Sequence, residues 1–116
     1  SLQEWIALAE IYKRFNLYGK AYQTYDFINR RYFSDLSYVQ KAFMLKERFP
    51  LYFDALAGRY SKRYALEKEL VLAVIKRESA FRTQARSYAD AYGLMQLIPP
   101  TANDMAALAG MQHWQI

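Results

Sequence analysis

Apolar side chains return every three or four residues along the first half of the chain, the spacing of one helical face. Over residues 3–17 they are Trp5, Leu8, Tyr12 and Phe15, and Gly19 breaks the run. A second stretch carries Tyr22, Tyr25, Ile28 and Tyr32 on one side. The short break between the two predicts an αα-hairpin. A third helix is expected to start at Ser34 or Ser37, because a serine hydroxyl accepts a backbone N–H that the first turn leaves without a partner. It would bury Leu36, Val39, Phe43 and Leu45, and Pro50 would stop it.

Residues 51–60 give a shorter amphipathic segment through Leu51, Ala55 and Leu56. A strong helix is predicted over about 66–80. The stretch 82–92 is polar and less regular and reads as a loop, and 93–98 is a short apolar segment. Pro99-Pro100-Thr101 opens a last helix through Asp104, Met105 and Leu108, and Gly110 suits its end. No segment alternates with period two, so the predicted class is all-α. The expected organisation is a region of helical hairpins over 1–48, then a second helical segment over 49–116. A repeat of tetratricopeptide length is not legible in the first 48 residues.

Composition supports helices: only four Gly and three Pro are present, too few for a turn-rich β fold. Eleven Tyr, seven Phe and two Trp make the chain unusually aromatic. The formal net charge of +5 is spread along the sequence. Without a basic cluster interleaved with aromatics it does not support nucleic-acid binding. The absence of Cys excludes disulfides and thiolate sites. The single histidine, His113, has no partner of metal-ligand type and reads as a surface residue. No apolar run of membrane-spanning length and no signal peptide is visible. Both ends look cut, so a fragment of a longer protein is expected.

The chemically suggestive residue is Glu78. It follows Val71, Val74 and Ile75 at spacings of seven, four and three, which share a helical face. An apolar stripe that ends in a carboxyl group would desolvate it, disfavour its charged form and prepare it to donate a proton. The plainer alternative is a surface pair with Arg82, four residues on, worth about 0.3–0.5 kcal/mol.

The surrounding motifs extend the picture. Glu78-Ser79-Ala80-Phe81, then Gly93-Leu94-Met95-Gln96-Leu97-Ile98-Pro99, then Thr101-Ala102 resemble the signature of the soluble-type lytic transglycosylases, whose catalytic domain is of the goose-lysozyme kind. Ser87, nine residues after Glu78, falls where that family places a loop serine. The similarity covers about residues 46–106, and the first part resembles, more loosely, the family's helical linker. The family's later helices, with an Ala-Tyr-Asn-type segment and a late Tyr, are not found. The lysozyme-like domain over 49–116 is therefore expected to be C-terminally incomplete, and this piece alone weak or inactive unless the missing part of the same domain is supplied.

The resemblance implies cleavage of the β-1,4 bond between N-acetylmuramic acid and N-acetylglucosamine in peptidoglycan, with a 1,6-anhydromuramoyl end as product. Glu78 would protonate the leaving oxygen and then take the proton of the sugar's C6 hydroxyl, acting as acid and then base. No metal or cofactor is needed. Glycan strands are the implied partner, and the periplasm or cell wall the implied location. Ser79, Ser87, Gly93, Met95 and Gln96 are the substrate-binding candidates. Gly93 lets the backbone approach closely, and the other four have an alternative: helix capping for Ser79, an ordinary loop role for Ser87, a structural hydrogen bond for Gln96, core or cleft wall for Met95. Tyr88 and Tyr92 are candidates for the cleft. Asp90 reads as a turn residue and Asp104 as an acid at the start of the last helix; either acting as a second carboxylate would make a hydrolase. The competing readings are a lysozyme-like hydrolase and a non-catalytic helical protein-interaction module.

Overall fold

The computed structural model describes residues 1–111. Among these residues six α-helices follow one another: α1 (Leu2–Arg14), α2 (Tyr18–Tyr32), α3 (Tyr38–Arg48), α4 (Asp54–Arg63), α5 (Lys68–Ser79) and α6 (Pro99–Leu108). Among the described residues no strand forms. The loop before α6 holds two isolated antiparallel bridges, Arg86 with Tyr92 and Tyr92 with Leu97. The all-α class and the order of helices agree with the pattern in the sequence.

Helix starts follow their caps. Ser1 and Ser37 each accept from the backbone N–H three residues on, and Glu4 and Gln40 reach back to close both capping boxes. Ser37, not Ser34, therefore begins α3. Leu36 lies before the cap with extended backbone, so helical spacing cannot be counted from it. As a result Val39 and Leu45 are exposed, Phe43 lies at the margin, and the buried residue of α3 is Met44. The expected face of α1 also differs. Ala9 is its fully buried residue, with Leu2 and Ile6 against the core, while Trp5 lies on Phe27 and Phe15 is 73% exposed. In the 51–60 segment Ala57 is buried, and Leu51 and Leu56 face solvent.

Two apolar clusters result. The first joins α1, α2 and α3 through Ala9, Tyr25, Ile28, Leu36 and Met44. A polar seam crosses it: Tyr25 donates to Glu10, and the Lys13 ammonium lies 3.0 Å from Glu47 and 3.4 Å from Glu10. Burial, then Glu10 accepting its hydroxyl, pushes the Tyr25 pKa far up. Burial opposes the Lys13 charge, but Glu47 and then Glu10 hold its pKa above the ordinary value. Both groups keep protons that the unfolded chain releases near pH ~10. Stability from this seam is thus fully present below about pH 10 and is lost as pH rises further. Urea unfolding at about pH 8 and about pH 11 should show that decline, and Tyr25→Phe should flatten it. Equal midpoints at both pH values would refute the coupling.

The second cluster spans both halves of the chain. Ala21 of α2, Tyr52, Ile75 of α5 and Phe81 are buried together, with Tyr18, Tyr22, Phe53, Val71 and Leu94 around them. Phe81 meets Tyr22 and Tyr52 edge-on at 5.5 and 5.4 Å, and Tyr52 stacks on Tyr18 at 4.5 Å. Gly19 makes the approach possible. A Cβ there would lie 2.5 Å from Arg82 Cγ, 3.1 Å from its Cα and 3.2 Å from its N. Overpacking costs about 1–3 kcal/mol, and at most about 1 kcal/mol would return as helix propensity. Gly19→Ala should therefore lower the thermal midpoint; a rise would show that the two segments are not in tight contact.

Candidate active site

Glu78 stands on the last turn of α5, and the four residues after it fix that turn. Ser79 is 1% exposed, and its hydroxyl donates to Ile75 O at 3.0 Å. Ala80 and Phe81 both take left-handed backbone, φ +48° and +61°, which ends the helix and turns the Phe81 ring into the second cluster. Arg82 donates to Ser79 O from its backbone N at 3.0 Å and from Nε at 3.2 Å. Because the helix has already ended, no ion pair forms between Glu78 and Arg82 among the described residues.

The Glu78 side chain is exposed. Ile75 is buried and Val71 and Val74 are half-buried on the same stripe, but they do not enclose the carboxylate. The desolvated setting expected from the stripe is therefore not supplied by residues 1–111. What the geometry gives is a carboxylate on a fixed helix end, with no hydrogen bond or ion pair to another described residue.

The segment between α5 and α6 is an ordered loop. Gly93, at φ +79°, donates its N–H to Ala85 O at 2.9 Å. Gln96 Nε2 donates to Ala85 O at 3.1 Å and to Gly93 O at 2.9 Å. Tyr92 and Leu97 exchange both backbone bonds, at 2.9 and 3.1 Å. Ser87 Oγ accepts from Ala89 N at 3.2 Å and Ala91 N at 3.1 Å. Arg86 reaches Asp90 Oδ1 at 2.6 Å and covers the Tyr92 ring at 5.0 Å. Asp90, with φ +56°, is a turn residue held by this ion pair.

The sequence-derived candidates thus divide by what their polar atoms already do. Ser79 is buried, with its hydroxyl committed to the helix, so it holds the end that carries Glu78. Gln96 spends its amide protons on the loop and keeps Oε1 as an acceptor. Ser87 uses its oxygen as an acceptor and keeps its O–H to donate. Met95 and Tyr88 are exposed and Tyr92 is half-buried. Asp104 is exposed and lies past the first turn of α6, which begins at Pro99, so it is not the helix-start acid expected. His113 lies outside the described residues. Phe81 and Arg82 were not singled out by sequence reasoning as anchors. What sets them in place is the left-handed backbone of Ala80 and Phe81, which no local propensity reveals.

Residues 55–114 match the family model of the transglycosylase SLT domain, just over half of the chain. The chain belongs to the transglycosylase SLT family. The matched stretch starts later than the resemblance over about 46–106 and runs further. Among similar proteins of this SLT chain is membrane-bound lytic murein transglycosylase C of Actinobacillus pleuropneumoniae. It is 49% identical over 47 residues, which make up 40% of the chain and 13% of that protein. The protein of the same name from Haemophilus influenzae is 41% identical over 56 residues, covering 47% and 16%.

Of solved structures, an inactive mutant of the lytic transglycosylase Slt from Pseudomonas aeruginosa superposes with TM-score 0.73 at 29% identity, over 99% of this chain and 17% of that one. The 70 kDa soluble lytic transglycosylase of Escherichia coli gives TM-score 0.75 at 23% identity, over 100% and 17%, a likeness of fold. The SLT chain thus spans between about an eighth and a sixth of the length of these relatives.

Proposed function

We propose that the chain carries the proton-transfer half of a catalytic domain that cleaves peptidoglycan glycan strands at the β-1,4 bond after N-acetylmuramic acid, leaving a 1,6-anhydromuramoyl end. The observation that carries this reading is the position of Glu78. Within the residues matched to the family, it is an exposed carboxylate on a hydrogen-bonded helix end, followed in the chain by a loop whose turns are tied by Ser87, Gly93 and Gln96. Asp90 is committed to Arg86, and Asp104 stands on α6.

One carboxyl group suffices for the chemistry. As the acid, Glu78 gives its proton to the glycosidic oxygen while the C1–O4 bond breaks. The acetamido oxygen of the same sugar supports the developing positive charge. As the carboxylate, Glu78 then takes the C6 hydroxyl proton while O6 forms the new bond to C1. No water is consumed, and the internal nucleophile has a high effective concentration. The bound glycan itself covers Glu78 and removes water from it. Gln96 Oε1 accepts a sugar N–H or O–H, the Ser87 hydroxyl donates to a sugar oxygen, and Met95 and Tyr88 give apolar surface to sugar faces. The relatives named as murein transglycosylases support the substrate and, with it, a place at the cell wall.

Mass spectrometry of purified peptidoglycan incubated with the protein that contains this chain tests the reading. Products one water lighter than those of a hydrolase are expected. Reducing ends would replace it by the hydrolase mechanism, and no products from the complete protein would defeat both.

A further inference from the structure

A groove lies on the side of α5 away from Glu78. It has a volume of about 680 Å³ and runs between α2, α5 and the 49–51 segment. That volume falls within the ~300–1,000 Å³ of sites that take small ligands. Phe49 and Leu51, both more than half exposed, form one wall, and Leu72 and Phe81 form the floor. On a helix, positions 69, 72, 73, 76 and 77 turn away from the face shared by 71, 74, 75 and 78.

The charges at its margin are unevenly satisfied. Asp26 and Arg30 of α2 pair with each other at 2.5 Å. Lys76, Arg77 and Glu69 line the same groove with no ion-pair partner among the described residues. The Lys76 ammonium sits over the Phe49 ring at 4.2 Å. Burial, then the charge of Arg48, holds its pKa below the ordinary lysine value, with Asp26 opposing. An ammonium so placed gains from an incoming anion that restores its lost solvation. Glu69 and Lys76 are seven residues apart, about 10 Å along the helix. Three extended peptide residues span about 10 Å as well.

We propose that this groove binds the peptide arm of peptidoglycan, with a terminal carboxylate at Lys76 and Arg77, an ammonium at Glu69, and small apolar side chains against Phe49 and Leu51. A peptide of that polymer carries those features: alanine methyls, a diamino acid and a free carboxyl end. A glycan strand whose muramic carboxyls are amide-linked to peptide brings no charge of its own, and a bare strand brings no ammonium for Glu69. The inference rests on peptidoglycan being the substrate, and it adds a non-catalytic site on the opposite face of the helix that bears Glu78.

The test is heteronuclear NMR of this chain titrated with two probes, the sugar-free tetrapeptide released from peptidoglycan by an amidase, and trialanine. Both should shift the resonances of Phe49 and of 69–77 saturably. Amidating the trialanine carboxyl group, and separately Lys76→Gln or Arg77→Gln, should each weaken binding about tenfold, the size of one lost charge-assisted hydrogen bond. The same spectra report whether each variant keeps its fold. Equal binding of the amide, shifts confined to the 83–97 loop, or no saturable shift would overturn the site. The product assay is read separately. Cleavage without peptide binding removes only this inference, whereas peptide binding by a protein that leaves peptidoglycan intact removes the proposed activity and, with it, this source of the peptide.

Discussion

Glu78→Gln is expected to slow peptidoglycan cleavage by the complete protein by about 10²–10⁴-fold, the usual contribution of a positioned acid–base group. The amide keeps the shape of the side chain but neither donates the glycosidic proton nor accepts the one from the C6 hydroxyl. Both halves of the reaction therefore suffer from a single substitution. The fold should not. Glu78 is exposed and makes no hydrogen bond or ion pair with another described residue, so the change in stability should stay within about 0.5 kcal/mol. The measurement is the rate of clearing of a peptidoglycan suspension, paired with a thermal melt of the same variant. Retention of more than a tenth of the rate with an unchanged melt would show that another group moves the proton.

The second large effect is expected at Phe81. It is 2% exposed, lies edge-on to Tyr22 and Tyr52, and closes the cluster shared by α2 and α5. Phe81→Ala should cost about 3–5 kcal/mol, because the transfer energy of the ring is lost and a cavity opens in the cluster. Against a typical total of about 5–15 kcal/mol this is a large share. Phe81→Leu should lose less, because it refills part of the cavity. Urea denaturation measures both. A loss below about 1 kcal/mol for the alanine variant would mean that the ring can be replaced by local collapse. The left-handed backbone at Phe81 gives the substitution a further reach. When the ring no longer holds the turn, the end of α5 can fray, and Glu78 is on that turn.

The sequence makes the helices legible because their signals are local. Serine caps, an apolar periodicity and a proline pair each act within a few residues, and α5 and α6 lie where those signals put them. The faces are less legible, because what decides them is contact between distant segments. In α1 the large side chains Trp5 and Phe15 dominate any reading by hydrophobicity, yet the fully buried residue is Ala9, which carries little such signal. In α3 the count from Leu36 crosses a cap and loses phase. The site shows the same division. Glu78, Ser87, Gly93 and Gln96 can be singled out from motif and spacing. That Ser79 faces inward, and that the Gln96 amide protons are spent on Ala85 and Gly93, depends on how the loop closes on itself.

The shared cluster around Phe81 bears on how this unit could be moved between proteins. The family match begins at residue 55, but the ring that fixes the end of α5 rests on Tyr22 and Tyr52, and Arg82 leaves room for nothing larger than Gly19. A transplant that starts at the family boundary would carry the motif and leave behind the surface against which it is braced. Recombination that respects function must take α2 along, or provide a new partner with a flat aromatic and a glycine at matching places. The modular unit is thus larger than the stretch by which the family is recognised.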